Sequence, residues 1–179
     1  MVNPLTKSTG LLGGSFDPPH IGHLTISKLA IKKVKLTKVL WIITKKNPFK
    51  NKAFYSLSER IRKAKKLTKN NKKIDVVYLE KFTGSSRIIN TINYLINKRK
   101  LKNIYFIIGS DNLIKFHKWK SWKKIVKLTK LIVFSRRGYD KKGKKSIVAK
   151  YLKNKIIFIK IKPIIISSSK LRKFAKKNC

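Results

Sequence analysis

The residues best suited to chemistry stand near the start of the chain, where positions 13–23 read Gly-Gly-Ser-Phe-Asp-Pro-Pro-His-Ile-Gly-His. Two adjacent glycines, Gly13 and Gly14, allow positive φ angles and let the backbone approach a ligand closely. A helix that begins after them would add unpaired amide groups and a partial positive charge. The spacing therefore predicts a cradle for a phosphate group between a strand and a helix.

His20 and His23 are three positions apart, so a helix that begins near Pro19 places both imidazoles on one face of its first turn. There they could donate hydrogen bonds to the same anion. Alternatively, His20 caps the helix and His23 packs against the sheet. The chain has 3 histidines, and finding two of them beside a double glycine favours the anion-binding interpretation. No further nitrogen, thiolate or carboxylate ligand is obvious nearby, so no metal site is predicted.

A second candidate motif lies at positions 166–172, which read Ile-Ser-Ser-Ser-Lys-Leu-Arg and follow the last apolar run. Serines at the start of a helix are common N-caps, which is the structural interpretation. Arg172 stands one helical turn after Ser168, and a guanidinium group pairs well with phosphate oxygens. Consecutive hydroxyls followed by this arginine predict a second helix start that binds an anion.

A third constellation follows the fourth apolar run, where positions 109–112 read Gly-Ser-Asp-Asn and positions 116–119 read Phe-His-Lys-Trp. The flat ring of Trp119 could stack on a heteroaromatic ligand. Alternatively, Trp119 and Trp122 form the apolar face of a helix. Two basic residues after other strands, Lys50 and Arg136, are further candidate partners for phosphate or carboxylate.

These motifs need strands and helices to position them, and the chain alternates short apolar runs with longer amphipathic stretches. The predicted strands are Thr9 to Leu12, Lys38 to Ile43, Ile74 to Leu79, Ile104 to Ile108, Lys130 to Phe134 and Lys155 to Ile161. The predicted helices are His20 to Val34, Leu57 to Thr68, Ser86 to Lys98, Trp122 to Leu128 and Ser168 to Lys176.

Continuously apolar strands alternating with helices indicate a doubly wound α/β fold with a parallel sheet. With 179 residues, 42% of them hydrophobic, the chain has material for one domain with a real core, spanning positions 1–179. The lysine-rich span 140–146 is predicted to be a solvated loop. In such sheets ligands bind beyond the carboxyl ends of the strands, which is where all three motifs fall.

The charge of the chain is unusual: 47 Lys and Arg against 6 Asp and Glu give a net charge of +41. Such an excess is typical of nucleic-acid-binding proteins. Here, however, the lysines are spread over almost every segment and accompany many Ile and Asn residues, as AT-rich codons would produce. We therefore expect salt-dependent, nonspecific adhesion to polyanions but no specific nucleic-acid partner.

No apolar run approaches the roughly 18 residues that a membrane span needs, so no membrane association is expected. The only cysteine is Cys179. No disulfide can therefore close within the chain, and no zinc cluster of thiolates is available. These features predict a cytoplasmic protein.

The first two motifs resemble the signatures of the HxGH nucleotidylyltransferase superfamily, with Ser169 where a threonine is usual. The third resembles the nicotinate-nucleotide adenylyltransferase branch. The resemblance implies a Rossmann-like nucleotidylyltransferase fold in which the phosphate of nicotinate mononucleotide attacks the α-phosphorus of ATP. Deamido-NAD and pyrophosphate would form without a covalent enzyme intermediate, and Mg²⁺ would accompany the ATP. Nicotinamide mononucleotide and phosphopantetheine are alternative acceptors, and a nucleic-acid-binding module on this fold is a more distant alternative.

The resemblance also implies roles for individual residues, although the chain departs from the branch at Ser86-Arg87-Ile88, where relatives often have Ser-Tyr-Thr. An aromatic ring and a hydroxyl that would help to hold the pyridine are therefore absent. The implied catalytic residues are His20 and His23. The implied ATP-binding residues are Gly13, Gly14, Ser15, Phe16, Ser168, Ser169 and Arg172. The implied pyridine-nucleotide-binding residues are Lys50, Asp111, Trp119 and Arg136.

Overall fold

The computed structural model describes residues 7–45, 53–164 and 166–177, and it contains a six-stranded parallel sheet in the order β3-β2-β1-β4-β5-β6. The strands are β1 (Thr9–Gly14), β2 (Lys38–Ile43), β3 (Ile74–Val77), β4 (Ile104–Gly109), β5 (Lys130–Phe134) and β6 (Ile156–Ile159). All five strand pairings are parallel. The prediction of a doubly wound α/β sheet is therefore confirmed.

Helices cover both faces of this sheet. They are α1 (Ile21–Val34), α2 (Leu57–Thr68), α3 (Glu80–Thr83), α4 (Ile88–Asn97), α5 (Ser110–Lys115), α6 (Trp122–Leu128), α7 (Asp140–Lys144), α8 (Ile147–Leu152) and α9 (Ser168–Lys177). Two short 3₁₀ turns, Phe116–Lys118 and Lys153–Lys155, complete the described elements. None of the helices in the described residues is long and apolar enough to cross a membrane.

Two separate apolar cores form because alternate residues of each strand point to opposite faces of the sheet. In β4, Phe106 and Ile108 pack into the core under α4, α5, α6 and α8, whereas Ile107 packs into the core under α1 and α2. Since both faces are covered, these strands are apolar at nearly every position. The strand order reverses between β1 and β4, so the segments that follow these two strands flank the expected binding crevice.

One local prediction is wrong: the span 140–146 is not a solvated loop, because its first five residues form α7. This helix packs against α5 through Gly143, which is buried. A Cβ atom at residue 143 would lie 3.1 Å from the carbonyl oxygen of Ser110. The tertiary contact stabilises a helix that is too short and too lysine-rich to be recognised from its sequence.

Smaller differences concern the ends of elements. β3 ends at Val77 and β6 covers only Ile156–Ile159, two residues and three residues shorter than predicted. The helix predicted to begin at Ser86 begins at Ile88. The short helices α3, α5 and α8 were not predicted, because four to six residues carry little periodic signal.

Candidate active site

The loop between β1 and α1 is organised around the buried ring of Phe16. This residue has a φ of 46°, a left-handed conformation that costs a non-glycine residue roughly 1–2 kcal/mol. Its ring stacks on Trp41 with a centroid separation of 5.0 Å and contacts His23 at 4.7 Å. Packing of this ring against Trp41 and His23 therefore holds the loop in a backbone conformation that the residue would not adopt by itself.

The two histidines of the motif cap the start of α1 through a reciprocal pair of hydrogen bonds. The amide of Gly22 donates to Nδ1 of His20 at 3.1 Å, and the amide of His20 donates to Nδ1 of His23 at 3.2 Å. A Cβ at Gly22 would lie 2.9 Å from Nδ1 of His20, so only glycine leaves room for the ring. Because each Nδ1 accepts a hydrogen bond, the proton of each neutral ring is on Nε2.

This geometry confirms the structural interpretation of the histidines and is compatible with the anion-binding interpretation, which stays a prediction. As in the structural interpretation, His20 caps the helix and His23 contacts Trp41 of β2 at a centroid distance of 5.9 Å. The Nε2–H group of each ring lies on the opposite side from Nδ1. Burial, followed by the positive charge of Arg136, lowers the pKa of His20 to about 4. His20 is therefore a neutral hydrogen-bond donor near pH 7.

The start of α9 packs against the same loop, although the two segments are 150 residues apart in the chain. The hydroxyl of Ser168 donates to the carbonyl of Pro18 at 2.9 Å. Arg172 donates to the carbonyl of Asp17 and to the hydroxyl of Ser169. The structure thus brings together the histidine motif and the serine-arginine motif that were predicted to bind ATP.

Across the switch point, the end of β4 presents Asp111 in the first turn of α5. Arg136 donates to Oδ2 of Asp111 at 2.7 Å. The other carboxylate oxygen, Oδ1, is buried and has no hydrogen-bond partner among the described residues. A Cβ at Gly109 would collide with this oxygen, which explains the glycine. A buried acceptor without a partner is rare in a folded protein, and it makes this carboxylate unusual.

A second carboxylate positions Arg136, and sequence reasoning missed it. Oδ1 of Asp140, at the start of α7, accepts from the hydroxyl of Ser110 at 2.7 Å and from the amide of Arg136 at 2.9 Å. Ser110 is fully buried and also accepts from the amide of Arg136. The only signal in the sequence was that Asp140 is one of 6 acidic residues.

Trp119 packs against the apolar core, as the structural interpretation of this residue predicts. Its ring lies 5.0 Å from that of Phe116 and 6.1 Å from that of Phe106, against the core under α4 and α6. Stacking on a pyridine ring stays a prediction. Lys50, the remaining predicted residue, lies outside the described residues.

Comparison with known proteins gives consistent results. The model of the cytidylyltransferase-like family matches residues 11–174. The chain is 49% identical over 173 residues to a probable nicotinate-nucleotide adenylyltransferase of Pelagibacter ubique, covering 96% of both chains. It is 38% identical over 128 residues to a protein of the same name from Bradyrhizobium sp. strain ORS 278, covering 71% of this chain and 66% of that one.

Solved structures share the fold. The nicotinic acid mononucleotide adenylyltransferase of Plasmodium falciparum, in complex with NaAD, superposes with a TM-score of 0.74 at 22% identity. The superposition covers 94% of this chain and 83% of that one. A putative nicotinate-nucleotide adenylyltransferase from Vibrio parahaemolyticus gives a TM-score of 0.64 at 16% identity, covering 96% and 88%.

Proposed function

The chain belongs to the cytidylyltransferase-like family, and we propose that it transfers the adenylyl group of ATP to nicotinate mononucleotide, releasing pyrophosphate. The product is deamido-NAD, and the reaction is a step of NAD biosynthesis. The resemblance to nicotinate-nucleotide adenylyltransferases, which rested on three short motifs, is confirmed by a relative that matches over nearly the full length.

The observation that carries this proposal is the meeting of two helix starts at the carboxyl end of β1. α1 and α9 both begin there, joined by the contacts of Ser168 and Arg172 with the loop. Each helix start contributes a partial positive charge and amide groups, which favour a bound anion. A triphosphate in this position would lie beside the donors of His20 and His23.

The residues suit an in-line displacement at the α-phosphorus of ATP. The acceptor phosphate is already anionic, so its attack requires positioning and charge stabilisation more than a general base. The new bond joins an acceptor oxygen to the α-phosphorus, and the bond to the bridging oxygen of pyrophosphate breaks. Neutral His20 would donate its Nε2–H to charge that develops on the phosphates. Arg172 would pair with the β- or γ-phosphate.

Mg²⁺ would enter the site bound to the phosphates of ATP. Within the described ranges, no group of three or more His, Cys, Asp or Glu side chains could hold a metal ion. Mg²⁺ commonly keeps several water ligands and binds substrate phosphates, which is compatible with a site built from donors. The ion would neutralise part of the triphosphate charge. The residues of the loop and of α9 would then orient the nucleotide.

On the acceptor side, the buried oxygen of Asp111 supports a role in binding a ribose hydroxyl, since a hydroxyl can donate to this acceptor. Arg136, which is exposed and already paired with Asp111, would contact the acceptor's phosphate or carboxylate. Trp119 would offer a ring to the pyridine, and Lys50 a further charge. A reaction that consumes ATP and builds NAD is expected in the cytoplasm.

The deciding experiment measures pyrophosphate release with MgATP and one of three acceptors: nicotinate mononucleotide, nicotinamide mononucleotide or phosphopantetheine. We expect turnover with nicotinate mononucleotide and its loss in His20→Ala. Turnover with another acceptor alone would assign the protein to a sister branch. No turnover with any acceptor, together with tight binding of oligonucleotides, would favour the nucleic-acid-binding alternative.

A further inference from the structure

Arg60, in the first turn of α2, is almost completely buried, with 2% of its surface exposed. Its guanidinium group donates to four backbone carbonyls. Nη1 donates to the oxygens of Ser15 and Thr44, each at 2.7 Å, while Nε donates to Tyr55 and Nη2 to Lys45, each at 3.1 Å. One side chain therefore connects the loop after β1, the end of β2 and the turn before α2.

The orientation of a peptide plane follows from the direction of its carbonyl group. In a trans peptide the C=O and the following N–H point in opposite directions. Thr44 illustrates this: its carbonyl faces Arg60, and the N–H of the same plane, from Lys45, donates to the carboxylate of Glu80 at 2.8 Å. An anion therefore lies on the side of this peptide that faces away from the guanidinium group.

The second peptide held by Nη1 of Arg60 joins Ser15 to Phe16. Its carbonyl faces the guanidinium group, so the N–H of Phe16 faces the opposite side. This peptide lies inside the loop that precedes α1, and Phe16 has the left-handed φ that turns the chain there. The comparison with Thr44 indicates that an anion on the far side of this plane would receive the N–H of Phe16.

We propose that Arg60 is a positioning residue for adenylyl transfer: by holding the carbonyl of Ser15 it turns the N–H of Phe16 toward a phosphate of the bound nucleotide. This inference rests on the proposed function. Arg60 itself does not touch the nucleotide, since its hydrogen bonds are directed at backbone oxygens. It acts through the peptide plane that it orients.

A neighbouring carboxylate strengthens the arrangement. Asp17, 5% exposed, accepts from the amides of Phe54 and Tyr55, each at 2.9 Å. Nε of Arg60 donates to the carbonyl of the same Tyr55, so the turn before α2 is bound to the loop after β1 at two points. Arginine suits this position because its planar fork directs several N–H groups at fixed angles, which a lysine ammonium group cannot reproduce.

Arg60→Lys tests the inference, with the exposed Arg62→Lys in the same helix as the matched control. Calorimetry gives the Kd for MgATP, and turnover gives the KM for nicotinate mononucleotide. We expect the Kd for MgATP to rise about tenfold in Arg60→Lys, as when a hydrogen bond to a charged group is lost. The KM for nicotinate mononucleotide should stay within about twofold, and Arg62→Lys should match the wild type in both.

A folded Arg60→Lys variant with unchanged affinity for MgATP would overturn the inference. An equal rise in the Kd for MgATP and in the KM for nicotinate mononucleotide would also overturn it, because it would indicate that the whole site had become less ordered. If this variant does not fold, a second variant tests the inference: phenyllactic acid incorporated at position 16 replaces the amide by an ester. The ester lacks the N–H of Phe16 and leaves Arg60 in place. Unchanged MgATP affinity in that ester variant contradicts the inference.

The two proposals can fail separately. A wild-type protein that binds MgATP but turns over no acceptor would refute the proposed reaction, while the Kd measurements would still test Arg60. A wild-type protein that binds no MgATP would refute both.

Discussion

The nucleotide side and the acceptor side of the candidate site are built differently. On the nucleotide side, side chains hold backbone atoms: Ser168 and Arg172 bind the carbonyls of Pro18 and Asp17, and the histidines bind the amides of α1. On the acceptor side, Asp111 keeps one buried oxygen without a partner among the described residues. The proposed nucleotide side is thus preorganised by its own contacts, whereas the contacts on the proposed acceptor side leave one buried polar atom unpaired.

This difference suggests that substitutions on the two sides should change different kinetic constants. The largest effect is expected from His20→Asn, because asparagine is a good N-cap but lacks the Nε2–H donor. We expect kcat/KM to fall by about 100- to 1000-fold, the usual cost of removing a donor to developing charge. The Tm should stay close to that of the wild type. His20→Ala should lose about 1 kcal/mol of stability as well. A wild-type rate in His20→Asn would show that His20 only caps α1 and does not take part in catalysis.

A smaller effect is expected from Arg172→Lys, which keeps the charge but loses the planar fork. The KM for ATP should rise about tenfold, as expected for losing one charge-assisted hydrogen bond. The KM for the acceptor should not change, because Arg172 contacts the loop and α9 only in the described structure. A rise in the acceptor KM alone would contradict the division between the two sides.

Asp111→Asn tests the acceptor side with a side chain of equal size. The amide weakens the ion pair with Arg136 and changes the acceptor that is buried beside Gly109. We expect the KM for nicotinate mononucleotide to rise several-fold, about as much as one hydrogen bond contributes, with no change in the KM for ATP. Steady-state kinetics with each substrate varied in turn checks this. Equal changes in both constants would refute the separation.

The smallest expected effect is a change in the free energy of unfolding with pH, caused by His20 on the nucleotide side. Because the pKa of His20 is lowered to about 4, the unfolded chain binds this proton between about pH 6.5 and 4 while the folded chain does not. Stability contributed by neutral His20 is therefore present above pH 6.5 and is lost as the pH falls toward 4. Thermal unfolding should show a shallower decline over this range in His20→Asn. Identical profiles would contradict the lowered pKa.

The sequence allowed prediction of those parts that repeat a pattern over several residues. The continuous apolar runs of β2 and β4 indicate strands covered on both faces, and the motifs after β1 and before α9 indicate helix starts that bind anions. Their meeting in space followed from the rule that parallel strands end at one edge of the sheet.

What could not be predicted depends on single tertiary contacts. Arg60 occupies the buried face of α2 together with Ala64, and an arginine at such a position was the one available signal. α7 forms because Gly143 fits against Ser110, and no local sequence pattern could predict this contact. The core contacts of Trp119 with Phe106 and Phe116 likewise depend on how α5 and the following 3₁₀ turn are placed.

The hydrogen bond between Ser168 and Pro18 joins residues 150 positions apart, and this separation has a consequence for synthesis on the ribosome. The strands of the sheet, residues 9–159, can leave the exit tunnel and begin to pair before α9 is available. A nascent chain would therefore display the loop after β1 without Ser168 and Arg172. If the proposed function is correct, binding of nucleotide at full strength must wait until α9 has left the tunnel, which happens later than the synthesis of Arg172.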